Sequence, residues 1–480
     1  MIVRGEGGTG KTVLLNAISR SFEQEDTSEW LAKTATTGVA ASLFGGQTLH
    51  SWAAIPIIQH RRDLPLLTSP SKRIAERRKE NILPTHYLVI DEYSMLTQRV
   101  LEMLSQILRA VKAATGLCLP TDSFGNVNII LFGDLHQFPP VGNIHQALFA
   151  DRDTPDFVPS VGLSLYQQFT TVVTLTEQRQ VTDADWMAML RRLRNGDCTE
   201  ADIDMVNALV VGNPRYQPPS WTSSPWDSAV LVTPRHGARI QWNAESLKKH
   251  RARTGNHVYI CCAEDIVAGR EGGLTMRERL AITLATTKQS GKLNERVEIA
   301  VGMRAMVLFN ISTEADLANG TRGEIIDIVL DACEQDTLEL DPTTGHAILQ
   351  YPPAAVLFKP NSISSAFPQF EGLPAGVIPV VPSTAKFTVG AGPGRGKVTI
   401  IRKQLAMTPG YAFTDYKSQG QTIGYMLIDL GKPPTGSLTP FSAYIALLRS
   451  HGRENICILR GFDRALFTTH PSEMLRREDV

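Results

Sequence analysis

The sequence predicts an α/β protein built on parallel, doubly wound sheets, and three observations carry that reading. Over the first 175 or so residues, short apolar runs alternate with segments of helical periodicity. A glycine-rich loop stands between the first such run and the first helix. A second region of the same character begins near Glu177, so the chain divides at about 1–176 and 177–480. A length of 480 residues allows each part its own core.

In the first part, strands are expected at Met1–Arg4, Leu31–Thr36, Tyr87–Ile90, Asn128–Phe132 and Thr171–Leu175. After Asp91-Glu92, apolar residues at Met95, Leu96, Val100, Leu104, Ile107, Leu108 and Val111 recur at helical spacing. In the second part, Ala229–Val232, Tyr425–Asp429 and Ile456–Leu459 read as strands, with a helix through Asn243 and Leu247. From about Asn310 to Met407 the character changes. β-like runs (Gly323–Leu330, Val356–Phe358, Lys397–Ile401) lie among many prolines and glycines, and an inserted small β-domain is expected there. Gly212–Asp227 reads as a surface connection; Trp221 and Trp226 within it suit either packing or stacking on bases.

Composition excludes more than it assigns. A 20% share of charged residues and 42% hydrophobic residues are ordinary for a globular chain, and no apolar run reaches the length of a membrane span. Net charge is zero, so any nucleic-acid affinity must come from a local surface. Between His60 and Glu80, Arg61, Arg62, Lys72, Arg73, Arg77, Arg78 and Lys79 face only Asp63, Glu76 and Glu80, which suits a solvated helix face or phosphate contact equally. The six cysteines form no C-x-x-C pair and no metal-ligand spacing, and Met1-Ile2-Val3 runs into glycines with no signal peptide. Free thiols in a reducing, intracellular compartment, and no metal cluster, are expected.

Gly5-Glu6-Gly7-Gly8-Thr9-Gly10-Lys11-Thr12 fits G-x-x-x-x-G-K-S/T between a strand and a helix. Backbone N–H groups reach a phosphate chain only where no Cβ intervenes, which is why Gly5, Gly7, Gly8 and Gly10 stand here with Thr9. Lys11 supplies a charge for the β- and γ-phosphates, and the Thr12 hydroxyl suits Mg²⁺. Tyr87–Ile90 ends in Asp91-Glu92 at the edge of the sheet where ligands bind; Asp91 suits the Mg²⁺, and Glu92 suits activation of the attacking water. Gln137, after a third strand, is placed to sense the γ-phosphate, and Arg179 and Arg449 are candidates for stabilising charge in the transition state.

Taken in order, the P-loop, Thr37-Gly-Val-Ala-Ala41, Thr48-Leu-His50-Ser51, Asp91-Glu92-Tyr93-Ser94-Met95, Gly133-Asp-Leu-His-Gln137, Glu177-Gln-Arg179-Gln180, Lys417-Ser-Gln-Gly-Gln-Thr422 and Tyr444-Ile-Ala-Leu-Leu-Arg449 resemble the PIF (petite integration frequency) family of DNA helicases, relatives of RecD-like enzymes in superfamily one. The resemblance runs from Gly5 to about Phe462. It implies two RecA-like P-loop NTPase domains with ATP and Mg²⁺ between them, a small wedge-like insertion at about 53–82, and an SH3-like β-insert whose start Asn319-Gly-Thr-Arg-Gly323 resembles.

It further implies 5′→3′ movement on single-stranded and forked DNA, with roles in repair, recombination and telomere maintenance, in the nucleus or alternatively the mitochondrion. By motif match, Thr37, Gly38, His50, Lys417, Ser418 and Gln419 contact DNA, and Gly420 lies by the nucleotide. Two departures stand out: Asp415-Tyr416 replaces the usual hydrophobic-His pair before Lys417, and Leu448 replaces a serine. Family members also carry a glutamine-containing adenine-recognition segment upstream of the P-loop strand, whereas Met1 lies four residues before Gly5. Alternative readings are a remnant that binds nucleotide and DNA without unwinding, and the helicase module of a rolling-circle transposon.

Overall fold

A computed structural model describes the chain apart from residues 57–68, 143, 151–159, 286–292, 312–316, 335–337, 362–368, 391–395, 435 and 480. Two compact units are present, Met1–Arg239 with Phe413–Val480, and Ile240–Ala412.

The first unit holds a six-stranded sheet. Its strands are β1 (Ile2–Gly5), β2 (Leu31–Ala35), β3 (Gln47–Thr48), β4 (Tyr87–Asp91), β5 (Asn128–Gly133) and β6 (Val172–Leu175). They lie in the order β3-β2-β4-β5-β1-β6, and every neighbouring pair is parallel. Parallel strands buried on both faces need near-continuous apolar sequence, as Val89 and Ile90, Leu131 and Phe132 supply. Register aligns Ala35 with Asp91, Arg4 with Gly133 and Gly5 with Leu175, so the polar carboxyl ends share one edge.

Helices cover the sheet. Helix α1 (Lys11–Gln24) buries Leu15 in a core with Val3, Val89, Ile130 and Phe132. Helices α2 (Gly38–Ser42), α3 (Leu49–Trp52) and α4 (Lys72–Ile82) follow β2 and β3. Helix α5 (Gln98–Ala113) starts where the Thr97 hydroxyl accepts from the Val100 N–H at 3.1 Å. Its Leu101, Leu104, Ile107 and Leu108 are buried, each contributing about 1.5–3 kcal/mol. Met95 and Leu96, expected at helical spacing, precede this helix in a 3₁₀ turn and an extended residue. Of the segment 53–82 expected as a wedge-like insertion, residues 57–68, with Arg61 and Arg62, lie outside the described residues.

The same unit carries a second parallel arrangement, in which Met426–Ile428 lies between Val230–Val232 and Ile456–Ile458. Helices α6 (Ala184–Asn195), α7 (Glu200–Asn207) and α8 (Pro440–Leu447) accompany it. Trp226 packs edge-on against Trp221 and Tyr425, so these aromatics are at least partly engaged in packing.

The second unit is rich in antiparallel strands. Arg322–Val329 pairs with both Arg304–Val307 and Ala355–Pro360, and Ser383–Gly390 with Lys397–Gln404, which in turn pairs with Glu264–Val267. Its main core gathers Leu247, Val297, Met303, Phe358 and Met407. Strands Val258–Cys262 and Arg296–Ala300 precede the β-like stretch read from sequence at about 310–407. They lie in a stretch without proline, although Gly255 and Gly302 stand close to their ends.

Candidate nucleotide and nucleic-acid site

The loop between β1 and α1 is shaped by its glycines. Gly8 and Gly10 both take φ near +84°, the left-handed region that a side chain disfavours. A Cβ on Gly8 would fall 2.5 Å from Gln180 Cβ, and one on Gly7 would fall 2.6 Å from Leu448 Cδ2. The Thr9 hydroxyl donates to Glu6 O at 2.8 Å, which tightens the turn. Lys11 Nζ donates to the carbonyls of Gly5 (2.7 Å) and Glu6 (2.9 Å), holding an ammonium over the loop. Thr12 follows in the first turn of α1, half-buried.

At the end of β4 stand two buried acids. Asp91 is 7% exposed, and its Oδ1 accepts from the Glu92 N–H at 2.8 Å. Burial and the adjacent Glu92 push its carboxyl up to about 7. Glu92 is equally buried and sits at φ +54°, a backbone conformation that costs a non-glycine residue about 1–3 kcal/mol and is found at functional sites. Burial raises its carboxyl too, while the charges of Lys11 and Arg449 oppose that rise. Its Oε2 accepts from Gln419 Nε2 at 3.1 Å. Gly420, φ +72°, brings the next backbone alongside, where a Cβ would lie 3.8 Å from Glu92 Oε1.

Arg449 is 4% exposed, held by Nε donating to Ile445 O at 2.9 Å and Nη1 to Gln421 O at 3.3 Å. Its Nη2 would lie 3.6 Å from a Cβ on Gly7, so the guanidinium reaches the P-loop. Gln137 is buried, its N–H bonded to Asp134 O at 3.0 Å and its side-chain oxygen without a hydrogen-bond partner. Arg179 behaves differently. Its backbone N–H donates to Gly8 O at 2.9 Å, but its guanidinium is exposed and paired with Glu177 at 2.6 Å. The structure therefore gathers Lys11, Asp91, Glu92, Arg449, Gln419 and Gly420, and leaves the Arg179 side chain outside that group.

The residues matched to DNA contact divide similarly. Thr37 caps α2, its hydroxyl accepting from the Ala40 N–H at 3.2 Å; Gly38 begins that helix, and His50 is exposed on α3. Lys417 is half-buried, whereas Ser418 is fully buried with its hydroxyl donating to Asp415 O at 2.6 Å. Gln419 points to Glu92 rather than to the surface.

Other participants had no role assigned from the sequence. Asp134 is fully buried; against that burial, Arg194 Nη1 at 2.6 Å holds its carboxyl below the ordinary range, and Arg194 also donates to the Tyr444 hydroxyl at 3.3 Å. His136 bridges Arg194 O at 2.9 Å and Asp479 Oδ2 at 2.6 Å. Phe138 stacks on Tyr416, ring centroids 4.0 Å apart and planes at 15°. An amphipathic helix gives no reason to single out Arg194, and Tyr416, noted only as a departure before Lys417, gave no sign of its partner Phe138. No group of three or more His, Cys, Asp or Glu suited to a metal cluster occurs among the described residues. All six cysteines are free thiols. Among the described residues, no helix is long and apolar enough to cross a membrane.

Residues 1–204, which carry the P-loop, the acid pair and Gln137, match the PIF1-like helicase family. The chain is thus similar, over its first 204 residues, to PIF1-like helicases. It is similar to the ATP-dependent DNA helicase PIF7 of Trypanosoma brucei brucei, 24% identical over 493 residues, which cover 96% of this chain and 44% of that protein. The ATP-dependent DNA helicase Pif1 of Bdellovibrio bacteriovorus is also 24% identical, over 96% of this chain and 84% of its own length. The chain thus spans less than half of one of these relatives and most of the other. The crystal structure of Pif1 helicase from Candida albicans shares the fold with a TM-score of 0.69 at 22% identity, covering 100% of this chain and 94% of that one. A Bacteroides Pif1 bound to single-stranded DNA matches at 0.64 and 20%, covering 100% and 92%. The parallel sheets are therefore RecA-like.

Within this chain the two departures have local explanations. Asp415 does not face the surface; it is 7% exposed, burial raises its carboxyl, and it accepts from the Tyr416 N–H at 2.9 Å. Leu448 is buried against Gly7, and its carbonyl accepts from Gln180 Nε2 at 2.9 Å, so it supports the P-loop.

Proposed function

We propose that this chain is an ATP-driven DNA helicase that moves 5′→3′ along single-stranded DNA and unwinds the duplex, in repair, recombination and telomere maintenance, with the nucleus as its place of work. One observation carries the reading: Glu92, at the end of β4, is met by Gln419 and by the charge of Arg449 from the second parallel sheet's side of the chain. A nucleotide site built from two lobes responds to their arrangement, as a motor requires.

The residues fit ATP and Mg²⁺. Gly7, Gly8 and Gly10 leave backbone N–H groups open to a phosphate chain, with Lys11 beside them. Thr12 and Asp91 are hard oxygen donors that would hold Mg²⁺, and two adjacent buried acids form surroundings that a divalent cation neutralises. When bound, the ion offsets charge on the phosphate oxygens. Glu92 takes the proton of the attacking water, and Gln137 orients toward the γ-phosphate. Arg449 stabilises the charge that develops on the transferred phosphoryl group, and Arg179 joins it by leaving Glu177. Thr37, Gly38, His50 and Lys417 form the DNA face; Ser418 and Gln419 transmit its occupancy to Glu92.

Unwinding of duplexes bearing a 5′ or a 3′ single-stranded tail, with ATP and Mg²⁺, tests the proposal. Opening of the 5′-tailed substrate, together with hydrolysis stimulated by single-stranded DNA, is expected. Binding of DNA with no stimulated hydrolysis would overturn the motor reading in favour of a non-unwinding remnant.

A further inference from the structure

The ring of Tyr416 lies nearly parallel to that of Phe138, and the two are unequally covered. Phe138 is 2% exposed, while Tyr416 retains 48% of its surface. With one ring face against Phe138, an exposure that large places the other face in solvent. The ring is also held in position. Tyr416 sits in the short helix Asp415–Ser418, its N–H donates to the buried Asp415 carboxylate, and Phe138 is packed beneath it. An exposed tyrosine is commonplace. This one is flat, backed by a buried aromatic and followed directly by Lys417, which is the combination that single-stranded nucleic acid uses: an aromatic plane for a base and a cation for its phosphate.

We propose that Tyr416 is a nucleobase platform. A base of the DNA strand lies on its open face, extending the Phe138–Tyr416 pair to a stack of three rings. This deepens the DNA-helicase reading and rests on it. Any base can stack in this way, so the contact adds affinity and register without sequence preference.

An oligothymidylate carrying one 2-aminopurine, moved position by position, reads the contact directly. Wild type and Tyr416→Phe are expected to quench the probe strongly at one position. Tyr416→Leu keeps an apolar side chain against Phe138 but offers no flat face; it should lose that quenching, bind about tenfold more weakly, and melt at the wild-type temperature. Quenching that persists in Tyr416→Leu overturns the platform while leaving DNA binding intact. A wild-type protein that fails to bind the oligonucleotide overturns the DNA reading itself, a distinguishable result.

Discussion

Replacing Asp91 by asparagine probes the site without any nucleotide. Asp91 is buried beside Glu92, and its carboxyl lies at about 7 instead of the ordinary 3.8. The folded state therefore holds this proton more tightly than the unfolded chain does. Stability contributed by the group consequently falls as pH rises from about 4 to about 7, and the full cost of the buried charge is present above that. A difference of this size corresponds to about 4 kcal/mol at pH 8 and less than about 2 kcal/mol at pH 5. Asparagine keeps an oxygen to accept from the Glu92 N–H and removes the charge. At roughly 2 °C per kcal/mol for a unit this large, the variant should melt about 4–8 °C above wild type at pH 8 with EDTA present. That gap should shrink to less than half by pH 5. Differential scanning fluorimetry across this range measures it, and the wild-type-minus-variant difference isolates the Asp91–Glu92 pair from the other carboxyls. A variant that melts at or below wild type at pH 8, or a gap that ignores pH, would refute the argument. The same variant should lose the stabilisation that Mg²⁺-nucleotide gives wild type.

Three further outcomes follow from the geometry. Glu92→Gln should lower ATP hydrolysis by about 10²–10⁴-fold while a fluorescent ATP analogue still binds, because Gln keeps the hydrogen-bonding shape but cannot take a proton. Arg449→Ala should lower the hydrolysis rate by about 10³-fold or more; Arg449→Lys should not restore it, since one ammonium cannot make the contacts to Ile445 O and Gln421 O that aim the guanidinium. Gly8→Ala should abolish binding of the analogue in an equilibrium titration, because alanine is strained at φ +84° and its Cβ would collide with Gln180.

The first sheet was readable because its central strands are buried on both faces. Val89-Ile90 and Leu131-Phe132 leave little choice, and each run ends where a polar residue meets the ligand edge. The two-residue strand Gln47–Thr48 carries too short a pattern to be read. The second unit was only partly readable. Strand Lys397–Gln404 exposes alternate faces unevenly, and Val258–Cys262, though preceded by Gly255-Asn256, is only five residues long. Motif order picked out the loop, the acids and Arg449, which the structure brings together, but contacts across hundreds of residues leave no trace in local pattern: nothing near Phe138 points to Tyr416, and nothing near His136 points to Asp479.

Gln419 shows what such a contact changes. By motif it belongs to the DNA track, yet its amide donates to Glu92 and is buried with it. A neutral donor to a carboxylate favours the ionised form, opposing the burial that raises Glu92. Its neighbours are equally committed, with Ser418 bonded back to Asp415 O and Gln421 to Lys417 O. The segment from Tyr416 to Gln421 is thus a short, internally bonded unit with an aromatic surface at one end and the proposed catalytic base at the other. A displacement of this unit at its Lys417 end would change the position of Gln419 relative to Glu92. On the proposed function, DNA bound beside Lys417 would act on Glu92 through this one hydrogen bond of 3.1 Å.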